Sequence, residues 1–134
     1  MKISVIAIIA ILSLTFVTGC IGGAGGVQGV LDAQCNAMKS KNVDAYLGTF
    51  EASVTNPEWT NQGKPMVKSM FELIEIKECS NKIISQEDEN GVIKAEVETT
   101  MKISAFGQTV EDKKTETRYF VEIDGKLYER GTIR

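Results

Sequence analysis

The fold is decided by one stretch of alternating residues, Ile93-Lys94-Ala95-Glu96-Val97-Glu98-Thr99-Thr100-Met101-Lys102-Ile103-Ser104-Ala105. Its odd positions are mostly apolar or small, and its even positions are charged or polar. A period of two residues is typical of a β-strand with one buried and one solvated face. The stretch therefore predicts a long strand in an antiparallel sheet, with the odd-numbered face packed on the core.

Further strands are predicted on both sides of this one. Asn90-Gly91 favours a two-residue hairpin turn, with a strand at Ile83-Ile84 before it. A second alternation covers residues 114–123. Its predicted inner face consists of Thr115, Thr117, Tyr119, Val121 and Ile123. Asp124-Gly125 predicts another tight turn, and residues 127–133 predict the last strand.

The predicted faces determine the parity of the loop between the two long strands. Directly opposed residues share a face, so joining two odd faces requires an odd number of loop residues. We therefore predict three, either Phe106-Gly107-Gln108 or Gly107-Gln108-Thr109, with glycine free to adopt a positive φ. A two-residue loop would instead turn Glu116 and Arg118 toward the core.

Helices are predicted before the sheet. One apolar face at helical spacing covers residues 27–40 and consists of Val27, Val30, Leu31, Cys35 and Met38. Asn42 is a predicted N-cap for a short second helix over residues 43–50. Residues 55–63 are rich in turn formers and predict a loop, and Pro65 suits the first position of a third helix. Three helices followed by a curved antiparallel meander sheet make an α+β domain.

The N-terminus predicts export. One positive charge at Lys2 precedes an apolar run over residues 3–17, which is shorter than the roughly 18 residues of a spanning helix and is typical of a secretory signal. Val17-Thr18-Gly19-Cys20 resembles the lipobox of prokaryotic lipoproteins, a family in which the cysteine is lipidated and the preceding peptide is removed. The alternatives are an uncleaved anchor and a plain signal with a chance cysteine.

The lipobox resemblance implies three segments. Residues 1–19 form a lipoprotein signal peptide, residues 20–26 hold the lipidated Cys20 and a glycine-rich tether, and residues 27–134 form the domain. Cys35 and Cys79 are then the remaining cysteines, an even pair in an exported domain, and export favours a disulfide between them. Two separate buried thiols are the alternative.

Composition excludes several kinds of chemistry. No histidine occurs in the 134 residues, which excludes histidine-based acid–base catalysis and histidine-ligated zinc. The formal net charge of −3, without a basic cluster, argues against a nucleic-acid partner.

Two acidic features have structural explanations. Asp44 lies at a helix start, where the helix dipole stabilises a carboxylate. Glu87-Asp88-Glu89 lacks the spacing of a calcium loop. We therefore expect no enzyme, no cofactor and no metal site.

The order of elements resembles a known superfamily. The helix–loop–helix segment over residues 38–47, a third helix and long strands ending in Phe120-Val121-Glu122-Ile123-Asp124-Gly125-Lys126-Leu127-Tyr128 resemble the cystatin-like cone fold, which includes nuclear transport factor two and the SnoaL-type polyketide cyclases. The resemblance implies a concave sheet wrapped around helices, with a pocket at the mouth of the cone. Some members perform acid–base chemistry there with a histidine or a carboxylate pair. This sequence has no histidine, and residues 93–105 place no carboxylate on their inner face.

A mostly apolar pocket with a few hydroxyl groups is typical of a small-molecule site. The candidate lining residues are Tyr46, Trp59, Thr99, Met101, Thr117 and Tyr119. The alternative is that these side chains simply fill a core. A two-residue Asp124-Gly125 turn would direct Arg130 inward as an anchor for a carboxylate or phosphate. A longer turn, which fits the apolar residues better, would leave Arg130 in water.

These observations favour a lipid-anchored, non-enzymatic interaction domain at the cell membrane or outer envelope, outside the cytoplasm. Its expected partners are the membrane, through the lipid, and another protein or a second copy of the chain, through the sheet face around Phe106 or Phe120. The alternative function is the binding of a small apolar or amphipathic ligand in the cone pocket.

Overall fold

The structure is a computed structural model that describes residues 26–131. The predicted signal peptide over residues 1–19, Cys20, the tether up to residue 25 and the last three residues lie outside the described part of the chain.

Within residues 26–131, four helices precede the sheet. They are α1 (Gly26–Ser40), α2 (Val43–Leu47), α3 (Ala52–Thr55) and α4 (Pro57–Leu73). The first agrees with the helical spacing in the sequence, because its buried residues include Val27, Val30, Leu31 and Cys35. The second begins as predicted, since the Asn42 side chain accepts a hydrogen bond from the backbone N–H of Ala45 at 3.0 Å.

The second helix ends earlier than predicted, because the chain after it pairs with the last strand. Phe50 forms a parallel bridge with Glu129. The Glu129 N–H donates to the Thr49 carbonyl oxygen at 2.8 Å, and the Glu51 N–H donates to the Glu129 carbonyl oxygen at the same distance. These bonds tie the helical layer to the far edge of the sheet.

The predicted loop over residues 55–63 is wrong. A single helical turn, α3, is followed almost directly by the long helix α4, which begins at Pro57 and continues through Pro65. Proline suits the first helical position because its missing N–H would have no partner there. Pro65 lies inside the helix, where Val67 and Phe71 are buried, so tertiary packing outweighs the loss of one backbone hydrogen bond.

In the described part of the chain, the sheet is an antiparallel meander of four strands in chain order. Its strands are β1 (Glu75–Glu89), β2 (Val92–Ala105), β3 (Gln108–Ile123) and β4 (Lys126–Arg130). The predicted hairpin at Asn90-Gly91 is confirmed, because Glu89 pairs with Val92 and both turn residues have positive φ. Two register irregularities in β1 are of the kind that bends a strand and curves a sheet.

The predicted three-residue loop between the two long strands is wrong. Ala105 pairs with Gln108, so the loop consists of Phe106 and Gly107 alone, with φ of 53° and 78°. Positive φ at both loop residues is the geometry whose twist matches the flanking strands. An even loop length puts the odd residues of β2 on the same face as the even residues of β3. Ala95 accordingly lies opposite Arg118, and Val97 lies opposite Glu116.

The inner face of β3 is therefore its even face. Phe120, which the sequence interpretation allowed on an exposed sheet patch, is completely buried. It joins the larger core cluster between α1 and the sheet, which consists of Val27, Val30, Leu31, Ala95, Val97, Phe120 and Leu127. A second cluster lies among the helices around Leu47, Val67 and Phe71. Phe106, at the tip of the β2–β3 hairpin, is 89% exposed.

Across residues 26–131, none of the helices combines the length and the apolar character needed to cross a membrane.

Candidate functional site

A cavity of about 400 Å³ lies between the helices and the inner face of the sheet. Helix α1 contributes Gln34 and Met38, α2 contributes Tyr46, and β2 contributes Thr99 and Met101. Strands β3 and β4 add six charged side chains, which are Asp112, Lys114, Glu116, Arg118, Glu129 and Arg130. The cavity therefore combines apolar side chains with many polar and charged ones, and the part around Arg118 and Glu129 is here called its polar region. Its volume falls within the range of small-molecule sites.

The structure brings most of the predicted pocket residues to this cavity. Tyr46, Thr99, Met101, Thr117 and Tyr119 border it. Trp59 does not, because it packs with Phe50 in the helical layer, with ring centroids 5.8 Å apart. Thr99 and Thr117 do not pair with each other, because Thr99 pairs with Lys114 and Thr117 pairs with Glu96. Thr117 and Tyr119 are exposed, because they lie on the odd face of β3 and the even face packs on the core.

The polar region is built on a buried ion pair. Arg118 Nε donates to Glu129 Oε2 at 3.0 Å, and Arg118 Nη2 donates to Glu129 Oε1. The side chains of Arg118 and Glu129 are only 14% and 12% exposed. Two parallel N–H···O bonds between a guanidinium and a carboxylate hold both groups in one plane.

Gln34 connects this ion pair to the helices. Its Oε1 accepts a hydrogen bond from Arg118 Nη2, and its Nε2 donates to Glu129 Oε1 at 2.8 Å and to Thr49 Oγ1 at 3.1 Å. Every polar position of the Gln34 amide except one acceptor lone pair is thus occupied. The network joins α1, the segment after α2, β3 and β4 at one point.

Local charges keep the arginine and the tyrosine in defined protonation states. Burial alone would lower the pKa of Arg118, but the hydrogen bonds and charge of Glu129, together with the charge of Glu116, raise it above its ordinary value. The pKa of Tyr46 is raised by burial and by the negative charge of Glu129, against a smaller opposite effect of Arg118. At neutral pH the site therefore presents a charged guanidinium and a protonated phenol.

A disulfide forms part of the wall. The structure joins Cys35 of α1 to Cys79 of β1, with their Cα atoms 5.6 Å apart, and Cys79 borders the cavity. The Asn81 side chain lies beside the bridge, donating to Cys35 Sγ at 3.1 Å and accepting from the Thr99 hydroxyl at 2.6 Å. The bridge connects the first helix to the sheet directly at the site.

Asp44 and Arg130 are both exposed, but Arg130 borders the cavity, as the sequence allowed, and Asp44 does not. Asp44 forms an exposed ion pair with Lys64 at 3.1 Å and does not border the cavity described above. The Asp124-Gly125 turn has two residues and pairs Ile123 with Lys126, which is the register expected to direct Arg130 inward. Because the inner face of β3 is its even face and not the predicted odd face, this register buries Leu127. The Arg130 side chain is half exposed and forms an ion pair with Glu51 at 3.1 Å.

Sequence reasoning missed Gln34, Arg118 and Glu129 as site residues. The available signal was the two-residue alternative for the β2–β3 loop, which turns Arg118 inward. Among residues 26–131, no three histidine, cysteine, aspartate or glutamate side chains are grouped so that they could hold a metal ion. Asp88 instead accepts a hydrogen bond from the Gly91 N–H at 3.2 Å and serves the hairpin turn.

Comparisons with known proteins place the fold. In sequence, the chain matches no protein-family model and no curated protein. In structure, it is similar to Aln2 from a Streptomyces species, with a TM-score of 0.58 and 18% identity over 78% of this chain and 82% of that one. It is also similar to a variant of Rd1NTF2_05, with a TM-score of 0.53 and 11% identity over 78% of this chain and 92% of that one. The chain therefore has the α+β cone fold of the nuclear transport factor two-like proteins, as its element order predicted.

Proposed function

We propose that this chain is an exported, lipid-anchored protein that binds a small amphipathic molecule in its cone cavity. The observation that carries the proposal is the buried Arg118–Glu129 pair at a cavity of about 400 Å³. Small molecules bind in concave sites of this volume, where apolar side chains cover the ligand and fixed polar groups orient it. The cavity thus favours ligand binding over the interaction domain that the sequence alone favoured.

The mixed lining of the cavity supports an amphipathic ligand. Met38, Met101 and Phe50 offer apolar surface, and Arg118 offers directional hydrogen bonding in the same cavity. A ligand with an apolar body gains from leaving water, and its polar group is oriented by the network. Fixed polar groups of this kind lose little conformational entropy on binding.

Native mass spectrometry of the protein purified from its own host tests the binding proposal. We expect a retained molecule in the wild-type spectrum and its loss in Met101→Trp, because the larger side chain fills the cavity. Met66→Trp is the matched control, since Met66 is 54% exposed on α4. A wild-type spectrum without a retained molecule, or one that Met101→Trp leaves unchanged, contradicts the proposal. The same spectrum reports whether the expected homodimer forms.

The anchor is tested separately by Cys20→Ser. We expect this variant to leave the membrane fraction, because two or more lipid chains are what hold such a protein firmly on a bilayer. Cys79→Ser is the matched control, since it removes a cysteine outside the lipobox and should stay with the membrane. Membrane-bound Cys20→Ser with the mass of the wild-type protein would show that Cys20 is not the anchor.

A further inference from the structure

The polar region of the cavity has hydrogen-bond donors that the protein itself does not use. Arg118 binds Glu129 and Gln34 through Nε and Nη2. Among the hydrogen bonds formed by residues 26–131, none involves Nη1 of Arg118, which carries two N–H groups. Because Nε and Nη2 are already bonded to protein groups, Nη1 is the nitrogen of this guanidinium that is available to a ligand.

Tyr46 supplies a further donor beside the same pair. Its ring is held edge-on against Phe50 and Phe71, with centroids 5.4 and 5.6 Å away, and its hydroxyl makes no hydrogen bond within the described part of the chain. Glu129 and Arg118 both act electrostatically on this hydroxyl, and its raised pKa keeps it protonated. It is therefore an unused donor on the lining of the same cavity as the guanidinium.

The charge of this region does not favour an anion. The positive charge of Arg118 is already matched by Glu129 through two hydrogen bonds, and the negative charge of Glu116 acts on it as well. Two further cations of the lining, Lys114 and Arg130, are each paired with a glutamate, at 3.4 and 3.1 Å. A ligand carboxylate would add another negative charge beside these two in partly desolvated surroundings, which is unfavourable. A cationic group would meet the guanidinium itself.

We infer that the polar region of the cavity binds an uncharged ligand through a carbonyl-type oxygen, which accepts hydrogen bonds from Arg118 Nη1 and the Tyr46 hydroxyl. This inference rests on the proposed ligand-binding function and specifies the class of ligand. A carbonyl oxygen has two lone pairs for the two donors and adds no charge to the Arg118–Glu129 pair.

Three probes with the same seven-carbon body test it: heptan-2-one, heptanoate and heptylammonium. The full chain is held in lipid nanodiscs, with empty nanodiscs as the blank, and its methionines carry ¹³C-labelled methyl groups. Met38 and Met101 border the cavity, whereas Met66 is exposed on α4 and serves as an internal control. We expect heptan-2-one to shift the Met38 and Met101 signals but not that of Met66, with an affinity at least about tenfold above those of the charged probes.

A hydroxyl deletion tests the assigned donor. Tyr46→Phe keeps the ring packing and should weaken the binding of heptan-2-one about two- to tenfold, the effect of one hydrogen bond. Tyr128→Phe is the matched control, because Tyr128 is buried on β4 and does not border this cavity. Its affinity should equal that of the wild type.

Three outcomes overturn the inference. They are heptanoate or heptylammonium binding as tightly as the ketone, an unchanged ketone affinity in Tyr46→Phe, and no shift of Met38 or Met101 with any probe. In the first two cases the cavity still binds a ligand, so only the ligand class is wrong. Native mass spectrometry of the host-purified protein tests the proposed function independently of these three outcomes.

Discussion

Replacing Arg118 by alanine is expected to lower the free energy of unfolding by about 3–5 kcal/mol. The substitution leaves the Glu129 carboxylate, only 12% exposed, without its cation, and it removes the donor to Gln34 Oε1. An unpaired buried charge is costly because the protein interior solvates it poorly. Denaturant unfolding followed by the fluorescence of Trp59, the only tryptophan, measures the loss.

Arg130→Ala is the matched control for this prediction. Arg130 also pairs with a glutamate, Glu51, but its side chain is 51% exposed, so its removal should lower the stability by less than about 1 kcal/mol. The double variant Arg118→Met, Glu129→Gln removes both buried charges and should recover most of the loss. Equal losses for Arg118→Ala and Arg130→Ala would show that the Arg118–Glu129 pair is solvated.

Replacing Phe120 by alanine is also expected to lower the free energy of unfolding by about 3–5 kcal/mol. Phe120 is completely buried between α1 and the sheet, so its truncation removes apolar contacts and leaves a cavity. Denaturant unfolding measures the loss. The adjacent Tyr119, 42% exposed, is the matched control, and Tyr119→Ala should cost no more than about 1 kcal/mol.

This comparison also tests the length of the β2–β3 loop. With the two-residue loop Phe106-Gly107, Phe120 points into the core and Tyr119 points outward. A three-residue loop would reverse the two faces and therefore the order of the two losses. A larger loss for Tyr119→Ala than for Phe120→Ala would contradict the two-residue register.

The elements that depend on strong local patterns were predictable. Residues 93–105 alternate except at Thr99-Thr100, and Ala95 and Val97 are buried as expected. Asn90-Gly91 specifies its own turn, because both residues tolerate positive φ. The face of α1 follows from apolar residues at helical spacing. In each case the signal lies within a few residues of the structure that it specifies.

Other elements depended on competing local signals. Pro65 looks like a helix start, but Pro57 takes that position and the helix runs through Pro65. Turn formers over residues 55–63 predicted a loop, yet packing of Val67 and Phe71 in the helical cluster stabilises a helix there. Trp59 consequently belongs to that cluster and not to the cavity.

The inner face of β3 shows most clearly what the sequence pattern cannot predict. Phe120 and Val121 are both buried, and so are Leu127 and Tyr128 on β4. With adjacent residues buried on both strands, the alternation of apolar and polar residues does not identify the inner face at this end of the sheet. The parity of the loop then decides, and glycine after Phe106 permits more than one loop length.

The sequence by itself determined the α+β architecture, the order of helices and strands, and the inner face of β2, because these follow from periodicity and turn chemistry. Only the tertiary structure decided the inner face of β3 and, with it, the polar network of the cavity. Gln34 lies 84 residues from Arg118 and 95 from Glu129, and no local pattern relates them. They meet because α1 packs across the sheet at the register that the Phe106-Gly107 turn imposes.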